Sequence, residues 1–223
     1  MSALPPAAAA ALAATRCWDA EVEALYAATG VPRADAALQN RAELAGLLAF
    51  IDHHAIRSVL ELGCWTGALS RCLHAAFPGL SLAVADDAYV EGLGLPWAPS
   101  PAARVFRGRI GTPAYDAFRA SLGAVDLVFI DADHRFAAVR ADFERERALP
   151  HRFLALHDIT GANRHTAGVG RWWRELPAGH TAALVRPMEE LGRPWSEMGI
   201  GFWSATEAPM DFGPPAWPPA RGG

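Results

Sequence analysis

Not one lysine occurs in this chain of 223 residues; its 20 Lys/Arg positions are all arginine, which removes one class of catalytic base. Nor is there an excess of positive charge. A net charge of −4 offers no field to attract nucleic acid or an anionic membrane surface. Cysteine is scarce: Cys17, Cys64 and Cys72 are widely spaced, odd in number and form no Cys-x-x-Cys pair. That pattern excludes a disulfide framework or structural zinc site and points to a reducing compartment. No apolar run approaches bilayer-spanning length. The alanine-rich stretch after Pro5-Pro6 lacks the basic flank of a secretory signal and flows into the polar Trp18-Asp-Ala-Glu-Val-Glu23. A cytoplasmic protein with neither nucleic acid nor membrane as partner is expected. Also missing is Gly-x-Gly-x-x-Gly, the usual dinucleotide fingerprint, which disfavours a nicotinamide dehydrogenase.

What is present is apolar sequence in strand and helix rhythm. Hydrophobic content of 52% and charged content of 20% fit a globular enzyme with one well-buried domain. Helices are predicted over 7–29, stopped by Gly30-Val31-Pro32, and over 40–53. Strands then alternate with helices: strands at 59–62, 80–85, 104–107, 125–130 and 153–156, with helices at 69–77, 115–122, 136–149 and 171–176 between and after them. Two last strands lie near 181–185 and 198–203. Such alternation predicts an α/β fold, a Rossmann-like, doubly wound and mostly parallel sheet of seven strands with an N-terminal helical extension. Residues 1–207 read as one domain, helical over 1–53 with the core over 54–207, and 208–223 as a loose Pro/Gly-rich tail.

The stretch Glu61-Leu-Gly63-Cys64-Trp65-Thr-Gly67 joins the first strand to the next helix. Its glycines free the backbone to turn under a ligand, at the place where open α/β sheets bind nucleotide-like cofactors. Acidic residues close three strands: Asp86-Asp87 the second, Asp131 the fourth and Asp158 the fifth. A carboxylate after strand two can grip both ribose hydroxyls of a nucleoside, against a plain turn as the alternative. Asp131 and Asp158, about 5 Å apart on neighbouring strands, would repel unless a cation intervened. A hard divalent ion such as Mg²⁺ resolves that conflict. Capping of backbone turns is the competing explanation.

Asp131-Ala-Asp133-His134, followed by Leu156-His157-Asp158, is more specific than any glycine turn. Here the chain resembles the class I S-adenosylmethionine-dependent methyltransferases, most closely the metal-dependent small-molecule O-methyltransferases that include enzymes of antibiotic pathways. The resemblance spans about residues 40–204 and takes in Gly168-Val-Gly-Arg-Trp172-Trp173 and Met198-Gly-Ile-Gly-Phe202. It implies cofactor contacts at Glu61, Gly63, Cys64, Trp65, Gly67, Asp86, Asp87 and Asp131. It implies metal ligands at Asp131, Asp158 and His157, and catalytic roles for Asp131 and for His134, the latter as general base where catechol-type relatives carry lysine. A histidine with a pKa near 6.5 is a workable base toward a hydroxyl acidified by a metal. The implied activity is Mg²⁺-dependent O-methylation of a small-molecule hydroxyl, such as a natural-product intermediate, and it is compatible with a homo-oligomer. A metal-free N- or C-methyltransferase and a cofactor-binding protein without catalysis are the alternatives. Trp172 and Trp173 are candidates for a pocket wall, and Asn163 and His165 for a loop over substrate.

Overall fold

The computed structural model describes residues 3–219. Seven strands form one sheet: β1 (Ser58–Leu62), β2 (Ser81–Asp86), β3 (Arg104–Arg107), β4 (Val125–Ile130), β5 (His151–His157), β6 (His180–Leu184) and β7 (Ile200–Ser204). Their order is β3-β2-β1-β4-β5-β7-β6, parallel from β3 through β5, with β7 antiparallel to both β5 and β6. The central strands are apolar on both faces because helices cover both. Val59, Leu127, Phe129 and Phe153 pack on the side of α1 (Pro6–Ala14), α3 (Arg41–His53) and α4 (Ala68–Ala76). Leu60, Leu62, Val128 and Leu154 pack on the side of α5 (Pro113–Leu122), α6 (Phe136–Arg147) and α7 (Ala167–Arg174).

The N-terminal segment departs from the single helix predicted over 7–29. It forms α1 and then α2 (Ala20–Thr29), because residues 16–18 pair elsewhere. Ala37 N–H donates to the Arg16 carbonyl at 2.9 Å and Trp18 N–H to the Gln39 carbonyl at 2.9 Å. Asp19 then restarts the helix by accepting the Val22 N–H at 2.8 Å.

The proline-rich end is not loose over its described part. Phe212 is buried and stacks on Phe202, ring centres 5.3 Å apart. Ala216 N–H donates to the Val185 carbonyl, and the Ala216 carbonyl accepts from Ser196 N–H. His54 is part of the same strap, with Nδ1 3.1 Å from Glu207 and Nε2 accepting the Met210 N–H at 3.0 Å. Among the described residues, no helix is long and apolar enough to cross a membrane.

Candidate functional site

Parallel register brings the chemistry to one edge. Leu62, Ile130 and Leu156 are aligned across β1, β4 and β5, so Gly63, Asp131 and His157 follow at one level. Asp131 N–H donates to the Leu62 carbonyl at 2.8 Å and extends the β4 pairing by one residue. They open into a cleft of about 1530 Å³, whose lining also takes in Trp18, Tyr26 and Pro32.

The glycine turn has the freedom its sequence implies. Gly63 and Gly67 have φ of +79° and +84°. A Cβ on Gly63 would lie 2.4 Å from the Asp131 carbonyl oxygen, and one on Gly67 2.4 Å from Pro99 Cα. Trp65 also takes a positive φ, +52°, and its indole lies 6.3 Å from the Tyr89 ring. Cys64 is buried and its thiol is driven far up by burial, so it lines the turn as an inert group. Asp86 has a local task alongside any ligand: its carboxylate accepts N–H groups from Cys64 at 2.7 Å and Ala88 at 2.6 Å. Each oxygen keeps a second lone pair for a ribose hydroxyl. Burial raises Asp86 above the ordinary carboxylate range. Asp87 is exposed at the cleft, accepting the Tyr89 N–H at 3.0 Å. Glu61 is 2% exposed, and its Oε2 has no partner. Burial first, and the charges of Asp131 and Asp86 next, push Glu61 well above the usual value.

Two carboxylates and two imidazoles form the second part. His134 Nε2 lies 3.2 Å from Asp131 Oδ1 and 3.5 Å from Asp158 Oδ2. His157 Nδ1 lies 3.2 Å from Asp131 Oδ2 and 3.6 Å from Asp158 Oδ2. Strand alternation would send the side chains of His157 and Asp158 to opposite faces. Asp158 instead has a left-handed backbone, φ +62°, which returns its carboxylate to the cluster. Burial opposes charge on every member. For Asp131, His157's charge and the bonds from both rings outweigh burial and hold the carboxyl well below its usual range. For Asp158 burial prevails and its pKa is raised. His134 is raised against burial, chiefly by its bond to Asp131; His157 is raised to about 10 by Asp131 and Asp158.

Among the described residues, the group whose donor atoms all lie within 4.8 Å of one another is Asp131, His134 and Asp158. His157, expected as a third metal ligand, is outside that group and 2% exposed, with Nε2 buried and unpartnered; His134 takes its place in the group. The cleft takes in Asn163 and His165, whereas Trp172 is a core residue packed edge-on against Phe143, and Trp173 packs on Gly201. Gln39 of the helical extension joins the site and Glu43 lies behind it, its charge acting on His157; neither is announced by any motif. Gln39 Nε2 donates to Asp131 Oδ2 at 3.3 Å across 92 residues of chain. Glu43, fully buried, accepts N–H groups of Arg186 and Gly199, each at 3.2 Å. Apart from this pairing across the fold, nothing local in the sequence marks either residue.

No family model matches the sequence, and no curated protein matches it. Solved structures do. The cofactor-bound Rv0187 protein from MTB is 21% identical, with 91% of each chain covered and a TM-score of 0.51. An O-methyltransferase from Bacillus cereus in complex with SAH is 17% identical over 87% of this chain and 90% of its own, TM-score 0.50. A putative caffeoyl-CoA O-methyltransferase from Staphylococcus aureus is 12% identical over 82% of this chain and 90% of its own, TM-score 0.56. At these identities the likeness is one of architecture: the chain has the Rossmann-like fold of S-adenosylmethionine-dependent methyltransferases.

Proposed function

We propose that the protein is an S-adenosylmethionine-dependent O-methyltransferase acting on a hydroxyl of a small molecule, with a divalent cation at Asp131 and Asp158. One observation carries this: a single cleft contains both a glycine turn tied to Asp86 and, one strand over, the Asp131–His134–Asp158 group. When bound, S-adenosylmethionine supplies an electrophilic methyl group and the cation acidifies a hydroxyl.

The chain's own residues bind, orient and move a proton. Gly63 and Gly67 let the backbone pass close beneath the methyl donor, and Asp86 and Asp87 offer acceptors to ribose hydroxyls. Glu61 lines the same cleft with an unused oxygen. Two carboxylate oxygens, completed by water, suit Mg²⁺ or Mn²⁺. Donor atoms of Asp131, His134 and Asp158 converge within 4.8 Å of one another, which is the sense in which the residues fit a cation. His134 Nε2 donates to the carboxylates as they stand; with a cation holding both of them it would be free to take the acceptor's proton. Walls of Trp18, Tyr26 and Pro32 present apolar surface to the acceptor, a natural-product intermediate among the candidates.

A metal-free alternative draws on the same cluster, because His134 and His157 already offset the two carboxylates. Divalent-ion dependence separates the two. With radiolabelled S-adenosylmethionine and a panel of small hydroxyl compounds, turnover should vanish in Asp131→Ala while S-adenosylhomocysteine binding persists. Excess EDTA should also abolish it. Undiminished turnover in either case sinks the cation, and failure to bind S-adenosylhomocysteine sinks the whole assignment.

A further inference from the structure

Gln39 has an exposure of 2% and is fixed on both sides along the chain. Its carbonyl accepts the Trp18 N–H at 2.9 Å. The next residue, Asn40, caps α3 by accepting the Glu43 N–H at 2.9 Å, while its Nδ2 donates to Ser196 Oγ at 3.3 Å. So anchored, the Gln39 side chain reaches Asp131 Oδ2, the same oxygen that His157 Nδ1 approaches to 3.2 Å. Which end of the amide faces Asp131 follows from charge. An ionised carboxylate needs a donor, so Nε2 points at it and Oε1 points away.

That leaves Oε1 buried, on a residue that lines the cleft, with no hydrogen-bond partner in the protein. An unmet buried acceptor costs about 1–3 kcal/mol, a cost that a native fold seldom bears for nothing. A donor that arrives with a ligand would meet it. Shells of this kind around metal-binding carboxylates fix the ligand oxygen and raise affinity.

We propose that Gln39 is a positioning residue of the cation site: its Nε2 holds Asp131 Oδ2 in place, and its Oε1 is the acceptor left for a donor that a ligand brings. This rests on the cation assigned to Asp131 and Asp158 above. It gives the helical extension a task in the site, since Gln39 lies ahead of the sheet and outside every strand-end motif.

The test uses the full chain and Mn²⁺ alone, followed by the electron paramagnetic resonance of the free ion. Binding of S-adenosylhomocysteine, measured by calorimetry, serves as the control for folding. Gln39→Leu should weaken Mn²⁺ binding about 10- to 100-fold and leave S-adenosylhomocysteine affinity within about twofold. Gln39→Asn, one methylene too short to reach Asp131, should behave alike and stands in if the leucine variant does not fold. Gln39→Glu is the variant that separates positioning from packing. Its carboxylate repels Asp131 without the ion, so the metal-free Tm should fall. With the ion it adds an anionic oxygen, so Mn²⁺ should bind at least as tightly as in the parent, and the Tm gain on adding Mn²⁺ should be larger. Parent-like Mn²⁺ affinity in Gln39→Leu and Gln39→Asn overturns the proposal. So does a glutamate variant that loses Mn²⁺ as the leucine one does. If the parent binds S-adenosylhomocysteine but no Mn²⁺, the cation assignment itself fails and Gln39 falls with it.

Discussion

Asp131 and His157 are level with each other on β4 and β5, and an ionic contact of 3.2 Å joins them. A histidine raised to about 10 in the folded chain and near 6.5 when unfolded binds its proton more tightly in the native state. Native protein therefore holds more protons than unfolded protein between those values. Stability from this group is complete below pH 6.5 and drains away as pH rises toward 10. Thermal melts of the cation-free protein should show Tm falling across that window, and His157→Gln should flatten the slope. A Tm that rises or stays level from pH 6.5 to 9 would contradict the ion pair. Asp131 acts at the other end, contributing stability that is lost in acid.

At this scale the sequence was informative about identity and less so about neighbours. Asp131, His134 and Asp158 are legible because they end strands or follow one closely, and a parallel sheet gathers strand ends. The pairing of Asp131 with His157 was not, because register is decided by packing of whole strands. Nor was the φ of Asp158, since a left-handed residue at a strand end carries no periodic signature.

Among the elements, the helical extension and the C-terminal strap were the least readable. The helix-forming residues of 7–29 predict one helix, and pairing of residues 16–18 with 36–39 breaks it. The strap has the composition of a tail, yet Phe212 enters the core beside Phe50 and Phe202. Burial there depends on a surface built by α3 and β7, which no local pattern reveals. Truncating that ring, Phe212→Ala, should cost about 3–5 kcal/mol of unfolding free energy in urea titrations. A loss under about 1 kcal/mol would mean that the strap contributes little to the core.

For the molecule as a whole, the alternation of strands with helices made the class of fold legible, including the parallel run from β3 to β5. Insertion of β7 between β5 and β6 was not legible, because antiparallel return depends on the loop that carries Met188 and Met198 around the cleft. The cleft lies where both ends of this sheet's chemistry meet, so a ligand bound there ties β1, β2 and the extension together. S-adenosylhomocysteine at 100 times its dissociation constant should stabilise the protein by about 2.7 kcal/mol. For a chain of this size that is a Tm rise of about 5–10 °C, readable by differential scanning fluorimetry. No shift at saturating ligand would place the methyl donor elsewhere.

The left-handed turn at Asp158 also decides how its mutants can be interpreted. Asparagine and glycine tolerate that backbone; alanine pays roughly 1–2 kcal/mol to stay there, and a β-branched residue more. An inactive Asp158→Ala would therefore report two injuries at once, a lost charge and a displaced chain. Asp158→Asn removes the charge alone, and Asp158→Gly removes the side chain without bending the strand end. The pair of them, and not the customary alanine, can tell an electrostatic role from an architectural one.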